Sequence, residues 1–302
     1  MIDIVVVGGG PAGLTAAIYA CRAGKSVLII EKNGFGGQIT WSPRVENFPS
    51  EAAVSGNELG DKLTGRALEL GADAELDEVI GVEDRGRCKV VRCESGAEYE
   101  CKAVIIAAGA KPRALGLPEE AKLLGSGVGF CAVCDGAFYK GRPVAVTGGG
   151  NSALQDAVLL SEICSRVYLI HRRDRFRGEA KLVEALQAKE NVEFVLNASV
   201  TGLEGEEALE AITVVQNGEE RRIEADGLFV AIGHEPDLGN FSSLLRLDGN
   251  GYADSSEDCI SITQGVFVAG DCRRKQVRQL TTAMADGSVA ALAACNYIDT
   301  VL

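Results

Sequence analysis

A continuous β-rich apolar run, Ile2–Gly8, opens the chain and predicts a strand buried on both faces. Three glycines follow at once, in Gly8-Gly-Gly10-Pro-Ala-Gly13, and then a helical pattern over Leu14–Ala23. A second buried strand, Ser26–Ile30, ends at Glu31. The same order recurs further on. Pro143–Thr147 leads into Gly148-Gly-Gly150-Asn-Ser-Ala153, a helical pattern runs to about Ile163, and the strand Val167–Ile170 ends at His171. Glu31 and His171 each fall 18 residues after the last small residue of their glycine turn (31 − 13 and 171 − 153). Two diverged copies of one strand–turn–helix–strand unit predict an α/β chain with two Rossmann-like nucleotide-binding domains, each three-layered.

Both copies also close alike. Ala103–Ala108 reaches Gly109 and Gly227–Ile232 reaches Gly233, with Pro112 and Pro236 soon after as markers of crossings between domains. A third strand, Gly265–Ala269, leads to Gly270-Asp271, and a last helix starts near Gln279 and includes Ala283–Ala294. This tail is too short to form its own core, so it is expected to complete the first domain. The expected division is 1–112 with 240–302 for a discontinuous first domain, and 113–239 for the second.

Composition narrows the partners. A length of 302 residues accommodates two domains. The net charge of −13 argues against nucleic acid or an anionic membrane as the main partner. No apolar run approaches the roughly 18 residues that span a bilayer, and the N-terminus carries no basic-then-apolar leader pattern. The ten cysteines share only one two-residue spacing, so a cytoplasmic protein with mostly reduced thiols is expected.

The glycine turns specify chemistry. In Gly8-x-Gly10-x-x-Gly13 the first glycine permits the tight turn, the second lets a pyrophosphate reach the backbone, and the third allows close helix–strand packing. The helix N-terminus offers N–H groups and partial positive charge. Glu31 is then placed to accept from ribose hydroxyls. The second copy has no acid at that place; it reads His171-Arg172-Arg173-Asp-Arg-Phe-Arg177. Guanidiniums pair with a 2′-phosphate that a carboxylate would repel, which predicts NADPH over NADH. Ala153 replaces the last glycine, a tolerated change. The acid of Gly270-Asp271, at a strand end, is of the kind that binds a polyol chain.

Between the two turns lies Cys131-Ala-Val-Cys134-Asp135. Two thiols so spaced can store two electrons as a disulfide. Half a zinc hairpin and a pair of inert thiols are the other readings. Asp135 either moves a proton to or from a thiolate or, with Gly136, simply forms a turn. Trp41 is read as packing, His234 has no visible catalytic partner, and the other eight cysteines read as core or surface thiols, with Cys272 set apart by its neighbour Asp271.

On Gly8–Gly13, Gly36-Gly37-Gln38, Cys131–Gly136, Gly148–Ala153, His171–Arg177, Gly265–Asp271 and Arg278-Gln279, essentially the whole chain resembles the low-molecular-weight thioredoxin reductases. Placing Cys-x-x-Cys-Asp just before the second turn is specific to that family. The larger disulfide reductases carry their cysteines in the first domain, where this chain has none over Phe35–Pro49. The resemblance implies FAD on the first domain, held by Gly8, Gly10, Pro11, Ala12 and Gly13, with Glu31 at the ribose. Gly37, Gln38, Asn47 and Gly109 join that site, and Gly270, Asp271, Arg278 and Gln279 complete it, Asp271 at the ribityl-phosphate region. It implies NADPH on Gly148, Gly150, Asn151, Ser152 and Ala153, with His171, Arg172, Arg173 and Arg177 at the phosphate and Ile232 and Gly233 at the far strand end.

The resemblance further implies a homodimer, Cys134 facing the flavin, Cys131 attacking the disulfide of thioredoxin, and Asp135 as acid/base. The nucleotide domain would rotate between half-reactions, with hinges near Lys111–Leu115 and Glu235–Gly239. The chain departs from the family pattern at Asn151, where Asp is common, at Gln155-Asp156, where two Glu are common, and at Cys272-Arg273. The competing readings are a ferredoxin-fed disulfide reductase, a small-molecule dithiol oxidase of the same fold, and a non-catalytic, NADPH-responsive redox sensor.

Overall fold

The structure is a computed structural model that describes residues 1–42, 45, 47–51 and 53–301. Strand β1 (Ile2–Val7) enters the turn to helix α1 (Pro11–Arg22), and β2 (Val27–Glu31) returns beside β1 in parallel. After α2 (Gly56–Glu69) come β3 (Asp73–Leu76), β4 (Val79–Asp84), β5 (Lys89–Cys93) and β6 (Glu98–Ile106). Strand β7 (Ala110–Pro112) leads away to α3 (Glu120–Leu123), β8 (Val128–Gly129) and α4 (Ala132–Asp135). The second copy then runs β9 (Pro143–Gly148), α5 (Asn151–Ile163), β10 (Arg166–His171), α6 (Ala180–Gln187) and β11 (Val192–Leu196). A meander, β12 (Ala198–Glu204), β13 (Ala211–Gln216) and β14 (Glu219–Glu224), precedes β15 (Gly227–Ala231). Strand β16 (His234–Pro236) pairs with β7, and β17 (Val266–Val268) and α7 (Leu280–Val301) end the chain.

Two compact units result. The first contains residues 1–42, 48–111 and 235–301; the second contains Pro112–His234, with Val45 and Asn47 grouped with it. In the first, the strand order is β3-β2-β1-β6-β5-β4, and β17 pairs with the far end of β6. The nine-residue β6 serves two neighbours on one edge: Glu98–Cys101 takes β5 antiparallel and Val104–Ile106 takes β17 parallel.

Strand alternation sorts the core. Ile4, Val6, Ile29 and Ile105 face α1 and α7, while Val5, Val7, Ile30 and Ile106 face a second cluster with Leu238, Phe241 and Leu244. Leu238 is therefore core of the first unit, which draws residues 235–239 into it. Helices α1 and α7 touch through alanines and Gly287, where a Cβ would run into the Ala12 carbonyl oxygen. The second unit repeats the parallel pattern as β11-β10-β9-β15-β8. One face of that sheet packs on α5 and α6 through Val144, Val146 and Leu169, and the other packs on the meander through Ala145, Ile170 and Val230.

Candidate active site: two nucleotide turns and a cystine

The first turn is built for backbone contact. Gly8 sits at φ +107, and a Cβ there would strike the Ala107 carbonyl. A Cβ on Gly13 would strike the carbonyl of Gly8 itself. Gly10 caps α1 with no side-chain hydrogen bond, and Pro11, which has no N–H to spare, takes the first helical turn. The N–H groups of that turn are thus left to a ligand. Glu31, at the end of β2, accepts from the Gly9 N–H at 2.7 Å through Oε2 and from the Asn33 N–H at 2.9 Å through Oε1. Those bonds aim the carboxylate beside the turn and leave lone pairs on both oxygens.

The neighbouring segment closes in. Gly36 donates to the Gly9 carbonyl at 2.8 Å, and a Cβ on Gly37 (φ +63) would lie 2.8 Å from the Gly10 Cα. Gln38 donates to the Ala110 carbonyl at 2.9 Å, one residue beyond Gly109, which sits at φ +69.

Asp271 arrives on a short 3-10 turn, Gly270–Cys272, that abuts the same helix start, since a Cβ on Gly270 would lie 2.8 Å from Ala12 Cβ. Its Oδ1 is buried and lies 3.3 Å from Lys275 Nζ. Asp286 of α7 anchors this turn. One of its oxygens accepts the Gly270 N–H at 3.0 Å and pairs Lys275 at 3.0 Å, and the other pairs Arg273 at 2.7 Å. Arg278 stacks its guanidinium over the Tyr252 ring at 4.2 Å, and the Gln279 carbonyl accepts the Ala283 N–H at the start of α7. A glycine cradle, an uncapped helix start, an aimed carboxylate and an acid with one buried oxygen together fit a flavin dinucleotide. Asn47 is exposed and groups with the second unit.

The second turn repeats the geometry with different chemistry at the strand end. Gly148 has φ +157, and its Cβ would strike the Ala231 carbonyl and crowd the buried Ala153. Gly150 caps α5 without a side-chain bond and opens onto free space. His171 fills the corner: Gly149 lies against its ring, its Nε2 is 3.1 Å from the Arg175 carbonyl, and Phe176 stacks on it at 5.2 Å. Burial lowers the His171 pKa and the neighbouring Arg177, Arg172 and Arg173 lower it further, against the backbone bond, so the ring is neutral at pH 7. Arg172, Arg173, Arg175 and Arg177 are exposed, and no ion pair engages them among the described residues. Ser152 is exposed in the first turn of α5. Ile232 is 38% exposed and Gly233 (φ +119) accepts the Arg113 N–H at 2.9 Å, both just past β15.

Cys131 and Cys134 are joined as a disulfide, with Cα atoms 5.3 Å apart. Cys131 caps α4, and its Sγ accepts the Cys134 N–H at 3.2 Å. Both are half-buried, and Val133 between them is 56% exposed. Asp135 ends the same short helix, and Gly136 behind it lies against Leu160 of α5, which seats the motif on that helix. A disulfide between these two sulfurs can take up and release two electrons.

Six of the eight free cysteines are buried. Burial pushes Cys272 and Cys101 up to about 12, and Cys164 and Cys259 to about 11, which leaves them inert thiols at neutral pH.

Motif reading missed Asp286, Lys275, Glu179 and Glu120. Asp286 was signalled only as one of two acids, with Asp299, inside an alanine-rich helix. Glu120 is buried and accepts the Leu115 and Gly116 N–H groups, each at 2.9 Å, with nothing in the local sequence to announce it.

Two glycine-turn units, one with an acid and one with arginines at the strand end, plus a cystine of Cys-x-x-Cys spacing, define a flavin- and pyridine-nucleotide-dependent disulfide oxidoreductase. The family profile of the pyridine nucleotide-disulphide oxidoreductases matches residues 2–287, and the chain belongs to that family. It is 39% identical over 300 residues to a thioredoxin reductase of Bacillus subtilis, covering 98% of this chain and 95% of that one. It is 38% identical over 300 residues to a bifunctional thioredoxin reductase/thioredoxin of Mycobacterium leprae, covering 98% of this chain and 66% of that one. The crystal structure of thioredoxin reductase from Streptococcus pyogenes superposes with a TM-score of 0.93 at 35% identity, over 99% of both chains. The resemblance to bacterial-type thioredoxin reductases read from the motifs is what these relatives bear out.

Proposed function

We propose that the chain is an NADPH-dependent thioredoxin-disulfide reductase that works through FAD and the Cys131–Cys134 pair. The observation that carries this reading is the cystine on α4, held in one compact unit with a nucleotide turn whose strand end presents exposed arginines that no ion pair engages among the described residues. The thioredoxin reductases among the relatives support thioredoxin as the partner.

The first glycine turn, Glu31 and Asp271 would hold FAD, which when bound supplies a two-electron relay between nicotinamide and disulfide. The turn at Gly148–Ala153 would take the pyrophosphate of NADPH, and Arg172, Arg173 and Arg177 its 2′-phosphate. The roles of the two sulfurs follow from their surroundings. Once the disulfide is reduced, the Cys134 N–H stabilises a thiolate on Cys131, making Cys131 the group that attacks an incoming disulfide. Cys134 then attacks the Cys131 sulfur of the mixed disulfide and displaces the thioredoxin thiolate, closing the internal bond and releasing dithiol thioredoxin. Asp135 holds or delivers the proton at the departing sulfur. The overall exchange consumes NADPH, a proton and one disulfide, and yields NADP⁺ and a dithiol. Because the nicotinamide turn and the cystine share a unit, each meets the flavin in turn, and rotation about Lys111–Leu115 and Glu235–Gly239 would exchange them. A homodimer and a cytoplasmic location belong to the same reading. No helix among the described residues is long and apolar enough to cross a membrane.

The test is Cys134→Ser under anaerobic conditions. NADPH should still bleach the flavin while thioredoxin reduction is lost, and thioredoxin turnover by this variant would overturn the assignment. A flavin that NADPH does not bleach in the native enzyme would return the ferredoxin-fed and dithiol-oxidising readings.

A further inference from the structure

The glycine turn and the arginine loop of the second unit are separate in sequence but are fastened together by a latch. Asn151 is the first residue of α5, and Glu179 caps the start of α6. The Asn151 Oδ1 accepts the Glu179 backbone N–H at 2.8 Å, and the Asn151 Nδ2 donates to Glu179 Oε1 at 3.1 Å. The Arg177 N–H adds a third bond, to the Gly149 carbonyl, at 2.7 Å. The segment 177–179 is thereby tied to the turn 149–151. The arginine loop is also held at its start by β10 and in its middle by His171, whose Nε2 meets the Arg175 carbonyl.

The chemistry of the latch requires an amide at 151. One end must accept from a backbone N–H while the other donates to a carboxylate, and only an amide does both. An aspartate could accept from the N–H but would place a second negative charge against Glu179, where the amide now donates. Asn151 and Glu179 therefore make sense only as a pair, which accounts for Asn at a place where the resembling family often has Asp.

We propose that the Asn151–Glu179 latch is a specificity-determining device: it holds the 2′-phosphate-binding arginines in register with the pyrophosphate-binding turn. This rests on the reading that the second unit takes NADPH. A dinucleotide with a 2′-phosphate must satisfy both segments at once, so slack between them costs binding of NADPH in particular. A nucleotide without the 2′-phosphate needs the turn alone. Asn151 and Glu179 act as positioning residues, through the arginines and the turn.

The experiment compares kcat/KM for NADPH and for NADH, with thioredoxin as acceptor, in the native enzyme, Asn151→Asp, Glu179→Ala and the double variant that combines Asn151→Asp with Glu179→Gln. Calorimetry with NADP⁺ and with NAD⁺ reads the same preference without turnover. Added charge beside the pyrophosphate weakens both nucleotides alike, so the NADPH-to-NADH ratio is the readout. Asn151→Asp should lower that ratio about tenfold, the effect of losing one charge-assisted hydrogen bond. The double variant keeps the new charge but restores a donor, because the introduced glutamine amide can donate to the introduced carboxylate while the backbone N–H at 179 still does. It should regain most of the native ratio. Glu179→Ala introduces no charge at 151, so it serves if Asn151→Asp fails to fold, and it should lower the ratio severalfold. A native enzyme without preference for NADPH would sink the reading of the arginine loop. A native preference that survives Asn151→Asp or Glu179→Ala, or that the double variant does not recover, would sink the latch while leaving that reading intact.

Discussion

Asp156 carries a half-buried carboxylate on α5, and its loss of water alone pushes its pKa from the ordinary 3.8 to about 6. A raised carboxyl pKa means that the folded state binds the proton more tightly than the unfolded chain. Its contribution to stability is fully present below pH 3.8 and is lost as pH rises through about 6. The displacement of about 2.2 pH units, at about 1.4 kcal/mol each, corresponds to a deficit on the order of 3 kcal/mol at pH 8. At pH 5 the folded group is still mostly protonated while the unfolded one is not, so the deficit is roughly half as large. Asp156→Asn keeps the shape and removes the charge. Urea unfolding of the oxidised protein, followed by far-ultraviolet circular dichroism, should show the variant more stable than the native chain. The gain should roughly double between pH 5 and pH 8. A gain that does not change with pH, or that shrinks as pH rises, would refute the argument, because it would mean that the carboxylate is ionised at no cost where it sits.

Three further outcomes follow from contacts described above. Gly287→Ala forces a methyl into the Ala12 carbonyl where α7 crosses α1. It should destabilise the protein by about 1–3 kcal/mol and weaken flavin retention, as read by urea midpoint and by the flavin-to-protein absorbance ratio after gel filtration. Asp286→Asn removes the charge that pairs Arg273 and Lys275 and steadies the Gly270–Asp271 turn. The flavin should dissociate at least tenfold more readily, with the second unit's affinity for 2′,5′-ADP unchanged by calorimetry. Alkylation of the native oxidised protein at pH 8 should label Cys21 and Cys88, the two free cysteines that are not buried, and reduction should add Cys131 and Cys134. Mass spectrometry that finds Cys272 labelled without unfolding would contradict its burial.

The parts of the fold that were legible in the sequence are those fixed by local rules. Buried strands read as apolar runs, and the glycines that a turn requires stand at fixed offsets, so both glycine-turn units and the position of the cysteine pair between them could be read from residues alone. Partnerships made across the chain could not. Nothing near Asp286 says that it will meet Arg273 and Lys275, and nothing near Glu120 says that it will hold the Leu115 and Gly116 N–H groups. Pro236 marks a crossing, but only the burial of Leu238 beside Phe241 decides which unit the following residues join. Asp156 stood out in the sequence only as a departure from the family's pair of Glu, and partial burial of one acid leaves no periodic trace that would foretell its raised pKa.

If the two glycine turns take FAD and NADPH as proposed, they differ in how the strand end is arranged. In the first, the second glycine of the turn, Gly9, donates its N–H to Glu31, so the strand-end acid is oriented by the turn it serves. In the second, the matching glycine, Gly149, lies flat against the His171 ring, which occupies the place of that acid. A neutral imidazole there removes the negative charge without adding a positive one. The positive charge is supplied instead by exposed arginines further along the loop. Those arginines need a fixed distance from the turn, and a histidine packed against glycine cannot supply it at the loop's far end. The bonds from Arg177 to Gly149 and from Asn151 to Glu179 do. On the proposed reading, the change from a ribose-binding to a phosphate-binding strand end takes three linked alterations: loss of the acid, gain of the arginines, and a tether that holds the loop to the turn.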